Sequence, residues 1–220
     1  STYRVLAMEQ IGLRECDTLG FRMAVALERV PNLAKRYQPN PDASPRIGDY
    51  RLLFSCFSRP ALAEDLFLQF EETRIQAHLQ RAYPGLTKHL VAHHAHLLTT
   101  EIPVGLLEYA KRWRMGEPLL LSDGEVERAL FEAINAHRAN ATSVYNSVDA
   151  LCRHYDAVLA HYEIAEGTYR EADESLVDWL NREQRVEEWE EELEDINDQL
   201  NQSMAMEIPT GQEEEAVYGD

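Results

Sequence analysis

The apolar positions of this chain fall into two regimes. Up to about residue 121 they come as short amphipathic runs cut by prolines; from Ser122 to Gln202 they settle into one stripe. Ser122-Asp123-Gly124-Glu125 has the S-x-x-E form of a capping box, in which the hydroxyl takes an orphan amide and the acid reaches back. No proline follows until Pro209. Val144, Val148, Leu151, Tyr155, Val158, Tyr162, Ala165, Tyr169, Ala172, Leu176 and Trp179 then alternate four- and three-residue steps. After a polar step at Glu183 the stripe re-forms as Val186, Trp189, Leu193, Ile196 and Leu200. A 3.5-residue repeat held this long cannot bury itself, so the pattern predicts one very long helix over 122–202 lying against a partner, with the large stripe residues as the interface.

Two details qualify that helix. Gly167 sits inside it at a cost of about 1 kcal/mol relative to alanine. It is either a close-approach site in a continuous helix or the point where the chain folds back as a hairpin. The repeat keeps its phase across Gly167, which favours continuity, and a continuous helix would run about 120 Å at 1.5 Å per residue, far enough to meet another chain. Tyr155, Tyr162 and Tyr169 put hydroxyls on the seam, and these need water or a partner. A wider bundle, or packing against the N-terminal helices, is therefore expected over a two-stranded zipper.

The first regime reads as four or five helices. Residues 1–16 fit a short strand (Tyr3, Val5, Leu6) or a helical turn (Leu6, Ile11, Leu13) equally. Asp17-Thr18 is the expected cap of a helix ending before Pro31, with Leu19, Met23, Ala26 and Val30 on its apolar face. Pro39, Pro41 and Pro45 mark a loop. The apolar run Ile47–Phe57 is short, with a buried helix as first reading and a strand as second. Ser58 is the expected cap of a helix with Pro60 in its first turn and Leu62, Leu66, Phe70, Ile75 and Leu79 inward, ending before Pro84-Gly85. Thr87 is expected to open a helix to about Leu98, and Pro103 another through Leu106, Leu107, Ala110 and Trp113. The resulting fold class is all-α, with a helical globule over 1–121, the long helix over 122–202 and an acidic, mobile tail over 203–220.

Charge sharpens the division. The 220 residues carry a net charge of −18, and residues 161–220 hold 20 acidic against 3 basic side chains, a net of −17. A surface so negative excludes nucleic acid as its direct ligand and favours a basic protein partner or plain solvation. Three cysteines, Cys16, Cys56 and Cys152, lie far apart with no C-x-x-C spacing, which fits free thiols in a reducing compartment. With no signal-peptide pattern and no apolar run of about 20 residues, the expectation is a soluble, cytoplasmic protein without a membrane partner.

Candidate chemistry is sparse. His89, His93 and His96 share one helical face at i, i+4, i+7, a spacing able to grip zinc, copper or nickel, but no acid stands between them and Leu86, Leu90 and Leu97 make the adjoining stripe. No E-x-x-H pair exists for a di-iron bundle; Glu132 and His137 are five apart. G-x-S-x-G, P-loop and G-x-G-x-x-G motifs are absent. Cys56 reads as a buried thiol, and His154 and His161 as exposed groups beside the seam. Lys111-Arg112-Trp113-Arg114 forms a small basic patch, suited to a phosphate or to an acidic rod, and equally to a helix C-terminus.

These readings converge on a non-enzymatic structural, assembly or adaptor subunit, a virion component among the options. It needs no cofactor and no metal, and it associates with protein partners as a homo-oligomer or within a hetero-complex. Two alternatives come from other features. The acidic segment 161–220 suggests a decoy or chaperone for a basic, nucleic-acid-binding protein; the histidine face suggests a metal-dependent enzyme.

Overall fold

A computed structural model describes residues 10–38, 48–86, 88–89, 92, 105–114 and 124–164. Every regular element among them is helical, so the chain is all-α in its described part. The helices are α1 (within 10–15), α2 (Met23–Arg29), α3 (Pro31–Arg36), α4 (Asp49–Ser55), α5 (Pro60–Ala82), α6 (Leu106–Arg114), α7 (Glu125–Asn140) and α8 (Val144–Ile164), with a 3-10 turn at Pro84–Leu86.

Helix α5 is the axis. Pro60 opens it where a missing amide costs nothing. Its buried residues, among them Leu62, Leu66, Phe67, Phe70, Ile75 and Leu79, leave little of the helix facing solvent. A helix apolar on most sides must be surrounded, and α4, α6, α7 and α8 all pack against it, while α3 and α2 reach α8 from the other side. One core joins Phe21, Tyr50, Phe54, Phe67, Leu130, Ile134 and Leu151, with Phe21 stacked on Tyr50 at 4.6 Å between ring centroids. Gly12 in α1 lets that helix approach α5 closely; a Cβ there would stand 2.5 Å from Ile75 Cγ2.

Several sequence expectations are corrected. The helix after Ser122 is not continuous: α7 begins at Glu125 with Gly124 in the cap position, and the chain leaves the helix at Ala141, which is extended at φ −72° and ψ 129°. It re-enters at Val144. The cause is local. Asn146 Oδ1 accepts the backbone N–H groups of Thr142 and Ser143 at 3.0 Å each, and the Ser143 hydroxyl at 3.2 Å. Ser143-Val144-Tyr145-Asn146 thus begins a new helix, the side chain three residues in reaching back to the cap amide as in a capping box. A second start signal therefore stands at Ser143, while Ser122 lies outside the described residues.

Asp17-Thr18 does not cap α2 either. Asp17 takes a left-handed φ of 54° in a turn, and α2 starts at Met23 behind Arg22. Thr18 is buried instead, its carbonyl accepting the Tyr50 hydroxyl at 2.7 Å. Arg59, not Ser58, occupies the cap position of α5. The run through Leu53 and Phe54 is a helix, as first read. Residues 165–220, which hold Tyr169, Leu176, Trp179, Val186, Trp189, Leu193, Ile196, Leu200 and the tail, lie outside the described residues.

Candidate functional site

The middle of α5 places polar side chains where the helix is buried: Glu71 and Arg74, 1% and 4% exposed. Two unshared charges at that depth would each cost several kcal/mol, so they need partners. Arg74 supplies Nε at 3.0 Å to Glu71 Oε2 and Nη2 to Oε1. Thr18 from the α1–α2 turn donates to Oε1 at 2.5 Å, and Ser147 from α8 donates to Oε2 at 2.7 Å. His137 from α7 completes the chain, with Nε2 3.0 Å from Ser147 Oγ. One carboxylate therefore ties together α5, α7, α8 and the first turn.

Serine, histidine and glutamate in contact raise the question of nucleophilic catalysis. The wiring answers it. The Ser147 proton goes to Glu71, so His137 Nε2 is the donor toward Ser147 rather than its base, the reverse of an activating arrangement. Ser147 is wholly buried. Burial lowers the His137 pKa to about 4, which keeps the imidazole neutral beside Phe70. The cluster acts as a structural clasp.

The seam residues predicted as an interface divide at the edge of the described region. Val144, Val148, Leu151, Tyr155, Val158 and Tyr162 are all buried in the core that α5 and its neighbours form. Their cover is intramolecular. The hydroxyls are spent there too: Tyr155 Oη accepts the Arg59 N–H at 2.8 Å and meets Ser58 Oγ at 3.1 Å, while Tyr162 Oη accepts the Leu107 N–H at 2.8 Å. Arg36 pairs with Asp156 at 2.5 Å on the outer side of α8.

His89 is half-buried, whereas His93 and His96 lie outside the described residues; among those described, no three metal-binding side chains converge. Lys111, Arg112, Trp113 and Arg114 do not form one positive surface: Arg112 and Arg114 turn inward, Arg114 pairing with Glu72, and Trp113 packs on Phe131 under Arg138. Burial holds the Cys56 and Cys152 thiols protonated, at about 11 and about 12, and raises Cys16 as well. His154 sits against Phe70 and is pushed down by burial, and His161 Nδ1 lies 3.9 Å from Glu127.

The Thr18–Glu71–Arg74–His137–Ser147 clasp escaped sequence reading. Its one visible trace is a charged i, i+3 pair directly after Phe70, on a helix too apolar to expose it. No family model, no curated protein and no solved structure matches this chain.

Proposed function

We propose that this chain is a non-enzymatic interaction subunit, a helical globule that presents its acidic last sixty residues to a basic protein partner. One observation carries the reading. The heptad stripe is satisfied by the chain's own helices from Val144 to Tyr162, and the sequence then repeats the same pattern through Leu200 on a segment of net charge −17. A stripe needs cover wherever it is helical. Tyr162 is the last stripe residue among those described, and Ala165 onward lies outside them. The acidic flanks select for a partner of opposite charge.

Light scattering after size exclusion tests it on the full chain and on Trp189→Asp/Leu193→Asp. The wild type is expected to form an oligomer, or to capture a basic partner, and the variant to be a monomer with unchanged helix content. A wild-type monomer that binds no basic protein at low salt sinks the proposal. The decoy reading, favoured by the same charge, requires binding that collapses as salt rises; a salt-resistant complex assigns the contact to the apolar stripe instead.

A further inference from the structure

A cavity of about 320 Å³ lies where three elements meet, away from the seam. Helix α5 gives it Arg74, His78 and Arg81, spaced i, i+4, i+7 on one side. The end of α1 gives Glu15, Cys16 and Asp17, and the α7–α8 linker closes it with Thr142. Its size falls at the lower end of small-molecule pockets, about 300–1,000 Å³.

Which polar groups are already spent decides what it can take. Arg74 is buried, with Nε and Nη2 committed to Glu71 and Thr18. Among the described residues its Nη1 has no hydrogen-bond partner. The cavity is the opening that Arg74 lines, so those two N–H donors are available there. Arg81 spends Nε on the Ala77 carbonyl at 3.0 Å and keeps its terminal amines. On the facing wall the Glu15 oxygens are occupied, Oε1 by the Tyr83 hydroxyl and Oε2 by His78 Nε2 at 2.9 Å. Among the described residues the Asp17 carboxylate has no hydrogen-bond or ion partner; the left-handed turn lays it over Gly20, where a Cβ would meet Oδ1 at 2.0 Å.

We infer that this cavity binds a small zwitterion of the amino-acid type, its carboxylate on Arg74 and Arg81 and its ammonium on Asp17. Unspent guanidinium donors on one wall and an unspent carboxylate on another are complementary to such a molecule. Charge-assisted bonds of this kind are the strong ones. A bare phosphate would satisfy the arginines but face Asp17 and Glu15. The inference is independent of the assembly proposal, because every residue it uses lies in the globule.

The test is a thermal-shift panel of the twenty standard amino acids on the full chain, followed by calorimetric titration of the strongest hit, its amine-free and carboxylate-free analogues, and inorganic phosphate. Saturable binding of an amino acid is expected, weakened about tenfold in each analogue and in Arg81→Ala, the loss of one charge-assisted contact. Asp17→Asn should weaken the amino acid and spare the amine-free analogue; asparagine tolerates the left-handed turn, so this variant folds. No saturable binding by any amino acid overturns the inference. So does phosphate binding more tightly than the best amino acid, or affinity unchanged in both variants.

Discussion

Ser147 Oγ donates to Glu71 Oε2 at 2.7 Å, and the two residues stand 76 positions apart in the chain. That bond closes α8 onto α5 at a place where both helices bury polar side chains. The apolar core would hold the helices together at several neighbouring registers, since burial is not directional. A fully paired carboxylate with four bonds fits one of them.

Glu71→Gln should therefore be costly. It leaves the Arg74 guanidinium buried without its counter-charge, and breaking a buried pair from one side costs about 3–5 kcal/mol. At about 2–4 °C per kcal/mol for a protein of this size, Tm is expected to fall by roughly 10 °C. Replacing both partners, as Glu71→Met with Arg74→Leu, should recover most of the loss. A calorimetric double-mutant cycle measures both; equal loss in the single and double variants would mean that the pair is not the cause.

Acid should loosen the same clasp. His137 has a folded pKa of about 4 against an ordinary value of 6.5, so between these values the unfolded chain binds the extra proton. Stability then rises with pH across that window and is lost as pH falls, by about 3 kcal/mol from pH 7 to pH 4. His154, shifted downward by burial, adds with the same sign. His137→Gln should flatten the profile of urea midpoint against pH in that window while lowering the midpoint at pH 7. A slope as steep as wild type would exonerate His137.

Gly12 holds α1 against α5 without a side chain, its Cβ position 2.5 Å from Ile75 Cγ2 and 3.1 Å from Leu79 Cδ1. Both neighbours are buried and cannot swing away freely. Gly12→Ala is expected to destabilise by about 1–3 kcal/mol as an overpacked contact, in spite of the gain in helix propensity. An unchanged or raised Tm would show that α1 slides at no cost.

The two halves of the stripe should respond differently to one substitution. Leu151 is fully buried by the globule, so Leu151→Ala should cost about 2–5 kcal/mol of unfolding free energy. Leu193→Ala, in the half proposed for a partner, should leave the unfolding of the globule within about 0.5 kcal/mol of wild type and weaken association. Equal thermal losses from both would place the two halves in one core.

The sequence by itself determined the all-α class, where α5 starts and stops, and the inward apolar residues of α5 and α8; for α6 it placed Leu106, Leu107 and Ala110 but not the inward turn of Arg112 and Arg114. Periodicity and proline are local signals, and local signals survive any tertiary arrangement. The break at 141–143 was nearly legible: the apolar stripe starts at Val144, and Ser143-x-x-Asn146 has the spacing of a reciprocal cap. No glycine or proline marks it, which is what hides it. What covers the stripe was beyond sequence reading. A 3.5-residue repeat states that one face is apolar and is silent on whether the cover is another chain or α5 of the same one. The clasp was hidden for the same reason: Thr18, Glu71, His137 and Ser147 become neighbours only when α5, α7, α8 and the first turn are packed, and no spacing along the chain encodes a contact between residues 76 positions apart.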